Sequence, residues 1–193
     1  LAAAVVAPAQ DRLPPIPPEK MTEAQKKAVA EFKAARNAEV SGPFTPMLRS
    51  PEVMTRARAM GDYLRFNSAL PPRLSEFVIL LTAGHWKQEY EWGVHHPTAL
   101  KAGVSAETAT AIADGRRPAT MTDDEAALYD FCQELQRDRK VSDATYARVL
   151  ARFGERGVDD TVGIVGYYTL LAMTLNTFQT PPPAGAPVHP FTR

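Results

Sequence analysis

The chain has 193 residues with 22 basic and 22 acidic side chains, so its formal net charge is zero. This length suits one well-packed domain, and the absence of a basic stripe argues against nucleic acid or an anionic membrane surface as a partner. The single cysteine, Cys132, excludes an intrachain disulfide, a two-thiol redox centre and a thiolate zinc site within one chain. Its apolar position in a helical pattern predicts a buried structural thiol.

The first twenty residues differ in composition from the rest. Residues 1–10, LAAAVVAPAQ, carry no charge and resemble the end of a secretory signal with a cleavage pattern at residues 7–9. We therefore expect a periplasmic or secreted protein; the alternative is an Ala-rich tail on a cytoplasmic protein. The Pro-rich stretch 12–20 is expected to be extended and without packed structure. The predicted organisation is a signal remnant and extended segment over 1–20, a helical domain over 21–180 and an extended Pro-rich tail over 181–193.

Capping signals predict the first two helices. Thr22 with Gln25 forms a capping-box pattern, which predicts a helix over residues 23–37. A loop over 41–52 follows, and Ser50 with the next proline and glutamate predicts a second helix that reaches about residue 69. The side chains expected to face inward from this second helix are Val53, Ala57, Met60, Leu64 and Phe66.

The remaining pattern is also helical. Residues 73–104 predict one long helix, or two stacked end to end, ending at Gly103. Further helices are expected over 106–114, 123–137, 142–153 and from residue 159 or 160 to 178, and no stretch shows the alternation of a strand. The fold class is therefore all-α, a single domain of about seven helices.

The last predicted helix is apolar on every side. No charged residue occurs between Thr161 and Pro187, but the apolar part is only 17 residues long and carries polar side chains, which argues against a membrane span. A helix of this kind needs cover all round. We therefore expect it to lie in the core or at a subunit interface of a homodimer, trimer or hexamer.

The segment 73–104 also carries the candidate chemistry. Glu91 and His95 are four residues apart, so on a helix they can touch, and a carboxylate beside an imidazole is a usual arrangement for a general base. Gln88 lies one turn earlier on that face. Glu76 lies at a similar angle around the helix axis but several turns away. It can meet the pair only if the helix breaks between them, and Gly84 is the expected place for that break. An ordinary surface ion pair is the alternative.

A second stripe on this segment offers a metal-binding alternative. His85, Glu89 and His96 are ligand types that suit zinc or iron, although Trp92 intervenes and the spacing matches no established motif. In the apolar last helix, Tyr167, Tyr168 and Asn176 need hydrogen-bond partners if buried, so they either line a pocket or bond to the backbone. Glycine-rich phosphate loops, dinucleotide fingerprints and serine nucleophile motifs do not occur.

The segment resembles the carboxymuconolactone decarboxylase family, which includes the alkyl hydroperoxidase D-like proteins. That family's signature has the form E…C-x-x-C-x-x-x-H-x-x-x-A-x-x-x-G, and His95, Ala99 and Gly103 match its last three positions. Glu76 stands where the upstream glutamate belongs, whereas Gln88 and Glu91 occupy the two cysteine positions. The flanking stretches GPFTPMLRSPEVM, LRFNSALPPRLSEFVILL and NTFQTPPP are similar as well, so the resemblance spans about residues 42–183.

This resemblance implies an all-helical oligomer with a site around the helix that carries His95. Cysteine-based peroxidase chemistry needs the missing pair, so the resemblance favours the decarboxylase-like branch, which lacks the pair and places Glu-x-x-x-His in its pocket. We therefore expect a cofactor-free lyase or isomerase for a small carboxylated or lactone-type compound. In this hypothesis His95 moves a proton, Glu91 orients it, and Glu76 is the partner acid.

The substrate-binding residues are less well defined by the sequence. A developing enolate needs a cation or a hydrogen-bond donor, for which Arg65, Tyr90 and His85 are candidates. The full set of expected substrate-binding residues is Gln88, Tyr90, Trp92, His85, Arg65 and Tyr167. Two other functions stay open: an exported helical oligomer that binds a small aromatic or apolar ligand, and a metal-dependent oxidoreductase that uses His85, Glu89 and His96.

Overall fold

The computed structural model describes residues 11–183 together with Gly185 and Phe191. Within these residues the chain is all-α, without strands, and a 3₁₀ turn at Pro18–Lys20 and a π-helical turn at Glu134–Asp138 complete the regular structure. The eight α-helices are α1 (Glu23–Arg36), α2 (Phe44–Met47), α3 (Pro51–Phe66), α4 (Pro72–His85), α5 (Glu89–Ala102), α6 (Ala106–Ala113), α7 (Asp123–Gln133) and α8 (Asp143–Phe178). The predicted fold class is confirmed.

Helix α4 is the central element of the core. Every residue from Leu74 to Ala83 is buried, and the helix packs against α3, α5, α6, α7 and α8. Thr82 bonds back to the carbonyl of Val78 at 3.0 Å, which satisfies its hydroxyl inside this apolar layer. A helix enclosed on all sides holds its side chains in fixed positions, which suits Glu76 to a role in a site.

Helices α4 and α5 form an antiparallel pair rather than one rod. The chain turns at residues 86–88, where Lys87 adopts a left-handed conformation with φ of 47°, and Gln88 caps α5 by accepting a bond from the Tyr90 amide at 2.6 Å. The expectation of two helices stacked end to end was therefore wrong. Gly84, the predicted break point, lies inside α4, and a Cβ there would come within 3.1 Å of the side chain of Ile112.

The inward face of α3 also differs from the prediction. Met54, Ala57, Gly61 and Leu64 are buried, whereas Val53, Met60 and Phe66 are exposed. Ala57 and Leu64 thus face inward as predicted, but Met54 and Gly61 are buried in place of Val53 and Met60. Gly61 faces α8, where it gives room to the ring of Tyr167. The side chain of Ser50 does not make the predicted capping hydrogen bond, although α3 does begin at Pro51.

Two other predictions on helix bounds need correction. The expected loop 41–52 contains the one-turn helix α2. The last helix was expected to start at Asp159 or Asp160, but helical structure resumes directly after Gly154, whose φ of 67° and ψ of 178° break α8. Asp160 is buried and bonds across to the α3–α4 link.

The Pro-rich segment before α1 is fixed to the domain. Arg12 donates from its amide to the carbonyl of Phe178 at 2.8 Å and from Nη1 to that of Thr177 at 2.9 Å. Ile16 packs against the core. The expectation of an unpacked segment was thus wrong for this part, and the predicted signal remnant over 1–9 lies outside the described residues.

Helix α8 supplies the wall opposite α4. Its buried side chains include Ile164, Tyr167, Tyr168 and Leu171, while Val162, Leu170 and Met173 are exposed. None of the helices in the described part of the chain has the length and hydropathy that a membrane crossing demands. The expected subunit interface on α8 stays a prediction.

Candidate functional site

A cavity of about 640 Å³ opens between α1, α3, α5 and α8, with the 38–43 loop and α2 along one side. Its walls combine aromatic rings with charged and phenolic side chains, which is the usual make-up of a small-molecule site. The lining residues are Phe32, Ala35, Arg36, Ala38, Glu39, Ser41, Pro43, Phe44, Asp62, Arg65, Phe66, Asn67, Tyr90, Glu91, Val94, His95, Tyr167, Tyr168 and Leu171.

His95 lies between two carboxylates in this cavity. Its Nδ1 is 2.8 Å from Oε2 of Glu76, and its Nε2 is 3.6 Å from Oε2 of Glu91. The three residues are 3%, 7% and 4% exposed, respectively, so they interact in a medium where charge effects are much stronger than in water. Glu91 and His95 line the cavity, and Glu76 reaches His95 from α4 behind it. The structure thus brings all three predicted catalytic residues together.

Glu91 is the group of this cluster whose proton affinity is clearly displaced. Burial raises the pKa of the Glu91 carboxyl above its ordinary value of 4.5, because the charged form loses its hydration, and the neighbouring Glu76 charge adds to this effect. His95 and Arg65 act in the opposite direction. The net result is a carboxyl that keeps its proton to higher pH than an exposed glutamic acid does.

Two tyrosines of α8 form the wall beside His95. The ring of Tyr168 meets the His95 ring edge to face, with centroids 5.0 Å apart, and packs in the same way on Tyr167. Burial raises the pKa of Tyr167 to about 12 and that of Tyr168 well above its usual 10. Both phenols are therefore neutral hydrogen-bond donors at physiological pH and cannot serve as bases.

Two arginines line the cavity in different states. Arg36 forms an ion pair from Nε to Oδ1 of Asp62 at 2.8 Å and stacks over the rings of Phe32 and Phe44. Arg65 has its guanidinium 5.2 Å from the ring centre of Phe66. Its Nε is fully buried and has no hydrogen-bond partner among the described residues. Arg36 is thus neutralised within the protein, whereas the charge of Arg65 is not.

Tyr90 and Tyr167 line the cavity as predicted, and so does Arg65. The ring of Tyr90 lies directly over the backbone of Gly42, where a Cβ would come within 2.6 Å of it. Gly42 also has a φ of 57°, which glycine adopts at little cost. This glycine therefore fixes the position of Tyr90 at the cavity wall.

Three other expected substrate-binding residues lie outside the cavity. Gln88 caps α5 and donates from Nε2 to Oδ1 of Asn176 at 2.7 Å, so its role is structural. Trp92 is buried on the opposite face of α5, where its ring packs against Phe191. His85 is exposed at the end of α4. None of these three residues lines this cavity, so their assignment as substrate-binding residues stays a prediction.

The expected metal ligands do not converge. His85 is exposed and meets Trp86 edge to face, while His96 stacks on Trp92 at 5.6 Å. Burial lowers the pKa of both imidazoles. Over residues 11–183, no three His, Cys, Asp or Glu side chains are placed to bind one ion. The alternative that required His85, Glu89 and His96 around a metal is therefore wrong in its geometry.

Most of the cavity lining, 13 of its 19 residues, was missed from the sequence. Phe32 and Arg36 come from α1, Phe44 from α2 and Asp62 from α3, all far along the chain from His95. The spacing of Phe32 and Arg36, four residues apart near the end of a helix, was the one local signal, and it is typical of any amphipathic helix. Only the packing of α1 against α3 brings these residues to the site.

Comparisons with known proteins agree with this fold. Residues 51–134 match the model of the carboxymuconolactone decarboxylase family, which confirms the resemblance noted in the sequence. A comparison with curated proteins finds no match.

Solved structures of similar fold come from several bacteria. An uncharacterized peroxidase-related protein from a Silicibacter species has a TM-score of 0.74 at 16% identity over 94% of this chain and 97% of its own. An alkylhydroperoxidase AhpD core, an uncharacterized peroxidase-related protein from Ralstonia eutropha, has a TM-score of 0.71 at 16% identity over 89% of this chain and 91% of its own. A protein of unknown function from Agrobacterium tumefaciens has a TM-score of 0.64 at 14% identity over 74% of this chain and 99% of its own. At these identities the likeness concerns the fold.

Proposed function

From the match of residues 51–134 to the carboxymuconolactone decarboxylase family, we propose that this chain is a cofactor-free acid/base enzyme. Its substrate is a small carboxylated or lactone-type compound, and its reaction is that of a lyase or an isomerase. The observation that carries this proposal is the contact of 2.8 Å between His95 Nδ1 and Glu76 Oε2 at the wall of the 640 Å³ cavity. It is the arrangement of an oriented general base.

The geometry supports different roles for the two carboxylates from those inferred for them in the sequence. An ionised carboxylate only accepts hydrogen bonds, so Glu76 favours the His95 tautomer that carries its hydrogen on Nδ1. This leaves Nε2 of His95 as the proton acceptor near the cavity. Glu91 lines the cavity and has a raised pKa, so it is the better proton donor. Glu76 is then a positioning residue, and Glu91 is the partner acid.

These groups support proton transfer at a carbon next to a carbonyl. In an isomerisation, Nε2 of His95 removes a proton from that carbon, and Glu91 returns a proton to another position of the resulting enolate. In a decarboxylation, the bond to the carboxylate breaks, CO₂ leaves, and the electron pair enters the neighbouring carbonyl system. Glu91 then protonates the carbon. Both steps need a low-dielectric cavity with placed donors, and the described residues supply it.

A thiol peroxidase is not supported by these 193 residues. The relatives of similar fold are described as peroxidase-related, but this sequence has one cysteine. Cys132 is completely buried in α7, and burial raises the pKa of its thiol far above the normal range. It does not line the cavity. A thiolate nucleophile and a resolving partner are both required for the cysteine-pair reaction.

A second candidate function is ligand binding without chemistry. The aromatic side chains Phe32, Phe44 and Phe66 on the cavity wall favour it, because they suit a flat apolar ligand. The two functions differ in what the His95 cluster does. In an enzyme, substitution of His95 abolishes turnover and leaves ligand affinity largely intact, whereas in a binding protein no turnover exists to lose.

Ultraviolet-monitored turnover of 4-carboxymuconolactone tests the proposal. We expect loss of the lactone with wild type and with His85→Ala, the exposed histidine outside the cavity, but not with His95→Ala. Equal turnover by His95→Ala and wild type would overturn the role of His95. If wild type leaves this lactone and a panel of related carboxylated lactones unchanged while binding them, the ligand-binding function replaces the enzymatic one.

A further inference from the structure

Arg65 lines the cavity without a carboxylate partner among the described residues. Arg36 forms an ion pair with Asp62, and Asp62 forms a second ion pair with Nη1 of Arg58 at 2.6 Å. Arg65, which lies one turn further along α3 than Asp62, has no ion pair with any described residue. Its Nε is closed off from solvent without a hydrogen-bond acceptor. Arg65 nevertheless lines the cavity, and a largely buried guanidinium without an anionic partner is costly, so the part of it that borders the cavity is suited to an external anion.

Glu91 does not fill that place. The charge of Arg65 acts on Glu91 and lowers its pKa, but the two side chains form neither an ion pair nor a hydrogen bond. The described residues thus supply no anionic partner for Arg65. In a cavity of about 640 Å³ with aromatic walls, a small planar anion is the ligand class that fits. A guanidinium fork matches the two oxygens of a carboxylate.

We propose that Arg65 binds the carboxylate of the substrate, and that this contact favours the protonated form of Glu91 in the complex. The inference rests on the proposed function, which it extends from a reaction type to the residue that recognises the substrate. Arg65 is one of the three residues that the sequence offered as a donor to the developing enolate, and the proposal gives it a different role, which is recognition of the carboxylate. Tyr90 borders the cavity as a neutral donor, and His85 lies outside it.

The effect on Glu91 follows from the charges that surround it. His95 faces it from its own helix, Glu76 from α4, Arg65 from α3, and the neutral phenols of Tyr167 and Tyr168 from α8. In the free protein, the positive charge of Arg65 stabilises the Glu91 carboxylate. A bound substrate carboxylate neutralises Arg65 and adds a negative charge nearby. Both changes favour the neutral carboxyl, so binding prepares the proton that the reaction uses.

By thermodynamic linkage, the reverse must also hold. If an anion at Arg65 favours protonation of Glu91, then protonation of Glu91 increases the affinity for the anion by the same factor. The affinity for a carboxylate should consequently fall as the pH rises through the titration of Glu91. In a Glu91→Gln variant, whose side chain stays neutral, this dependence should be absent.

Calorimetric binding of benzoate and of benzamide, its neutral and nearly isosteric counterpart, tests the proposal without any turnover. Wild type should bind benzoate about tenfold or more tightly than benzamide, because a charge-assisted hydrogen bond is much stronger than a neutral one. Arg65→Met should lose this preference. Arg36→Met, the matched control at the paired arginine, should keep it, and Arg65→Lys should give an intermediate preference. Thermal unfolding of each variant shows that it is folded.

The result that overturns the proposal is equally concrete. If the preference for benzoate survives in Arg65→Met, or is lost in Arg36→Met alone, the anion binds elsewhere. If wild type does not bind benzoate at millimolar concentration, the proposed anion site does not exist. A pH dependence of benzoate affinity that is the same in wild type and Glu91→Gln refutes the link to Glu91. Because these are binding measurements, they can fail while lactone turnover succeeds, and the reverse.

Discussion

Glu76 and His95 are 19 residues apart in the chain, and their side chains meet at 2.8 Å because α4 and α5 run antiparallel through the turn at residues 86–88. Neither helix alone contains the site. The turn depends on Lys87 in its left-handed conformation and on Gln88 as the cap of α5. The geometry of the candidate site is thus a property of the helix pair, since Glu76 on α4 contacts an imidazole that α5 presents to the cavity.

Glu76→Gln should lower kcat on the order of 100-fold and leave KM within a factor of a few, because the imidazole loses its orienting anion while the cavity lining is unchanged. Steady-state kinetics on a confirmed substrate measures this split. Nitrogen NMR shifts of His95 provide a second readout, since a merely structural role would not alter the tautomer. In wild type the Nδ1–H form should dominate, and in the variant both tautomers should be populated.

Glu91→Gln should change how stability depends on pH. The pKa of Glu91 is raised in the folded state, so its protonated form is favoured there, and its contribution to stability is full below the ordinary value of 4.5 and is lost as the pH rises through the folded-state value. Across that window wild type should lose about 1.4 kcal/mol per pH unit relative to Glu91→Gln. Urea unfolding of both proteins at several pH values measures this difference. Parallel curves would show that Glu91 does not titrate differently on folding.

Local sequence signals predicted the helices well where caps and glycines mark their ends. The capping boxes at Thr22 and Thr122 are both present, and Gly103 ends α5 in the left-handed conformation. The Glu91–His95 pair was also accessible, because helical spacing alone places the two on one face. These features depend on contacts within four residues, which the sequence shows directly.

Features that depend on long-range packing could not be read in this way. On α3, Ala57 and Leu64 were assigned correctly to the buried face, but Met60 was expected there instead of Gly61, which has no side chain to mark it as a contact with Tyr167. Arg36, Asp62 and Phe44 enter the cavity only through the packing of α1, α2 and α3. The roles proposed here for Glu76 and Glu91 depend on which nitrogen of His95 each carboxylate reaches, and that requires the positions of two helices.

Gly61→Ala and Gly166→Ala should have opposite effects on stability. At Gly61 a Cβ would lie 2.5 Å from Cζ of the buried Tyr167, so the extra methyl should cost about 1–3 kcal/mol and displace that ring from the cavity wall. At Gly166 nothing lies within 4 Å, so alanine should add about 0.5–1 kcal/mol through its better helix propensity. Denaturant unfolding of the two variants measures both. A loss at Gly166 would instead point to a subunit packed on this face of α8.

Asp160 is the buried group that joins α8 to the α3–α4 link. Its Oδ2 accepts the amide of Ala69 at 2.7 Å and its Oδ1 the hydroxyl of Tyr63 at 3.0 Å. Asp160→Ala leaves the Ala69 amide without an acceptor, so it should cost about 2–4 kcal/mol, whereas Tyr63→Phe removes one partly exposed donor and should cost about 1 kcal/mol.

A double-mutant cycle separates these contributions. If the hydroxyl of Tyr63 stabilises the fold through Asp160, Tyr63→Phe should cost clearly less in the Asp160→Ala background, with a coupling of about 0.5 kcal/mol or more. Additive costs would show that Tyr63 acts through Arg156, which also donates to its hydroxyl at 3.2 Å. Because α3 carries Arg65 and α4 carries Glu76, the same cycle measured on benzoate affinity reports whether this link also positions the cavity.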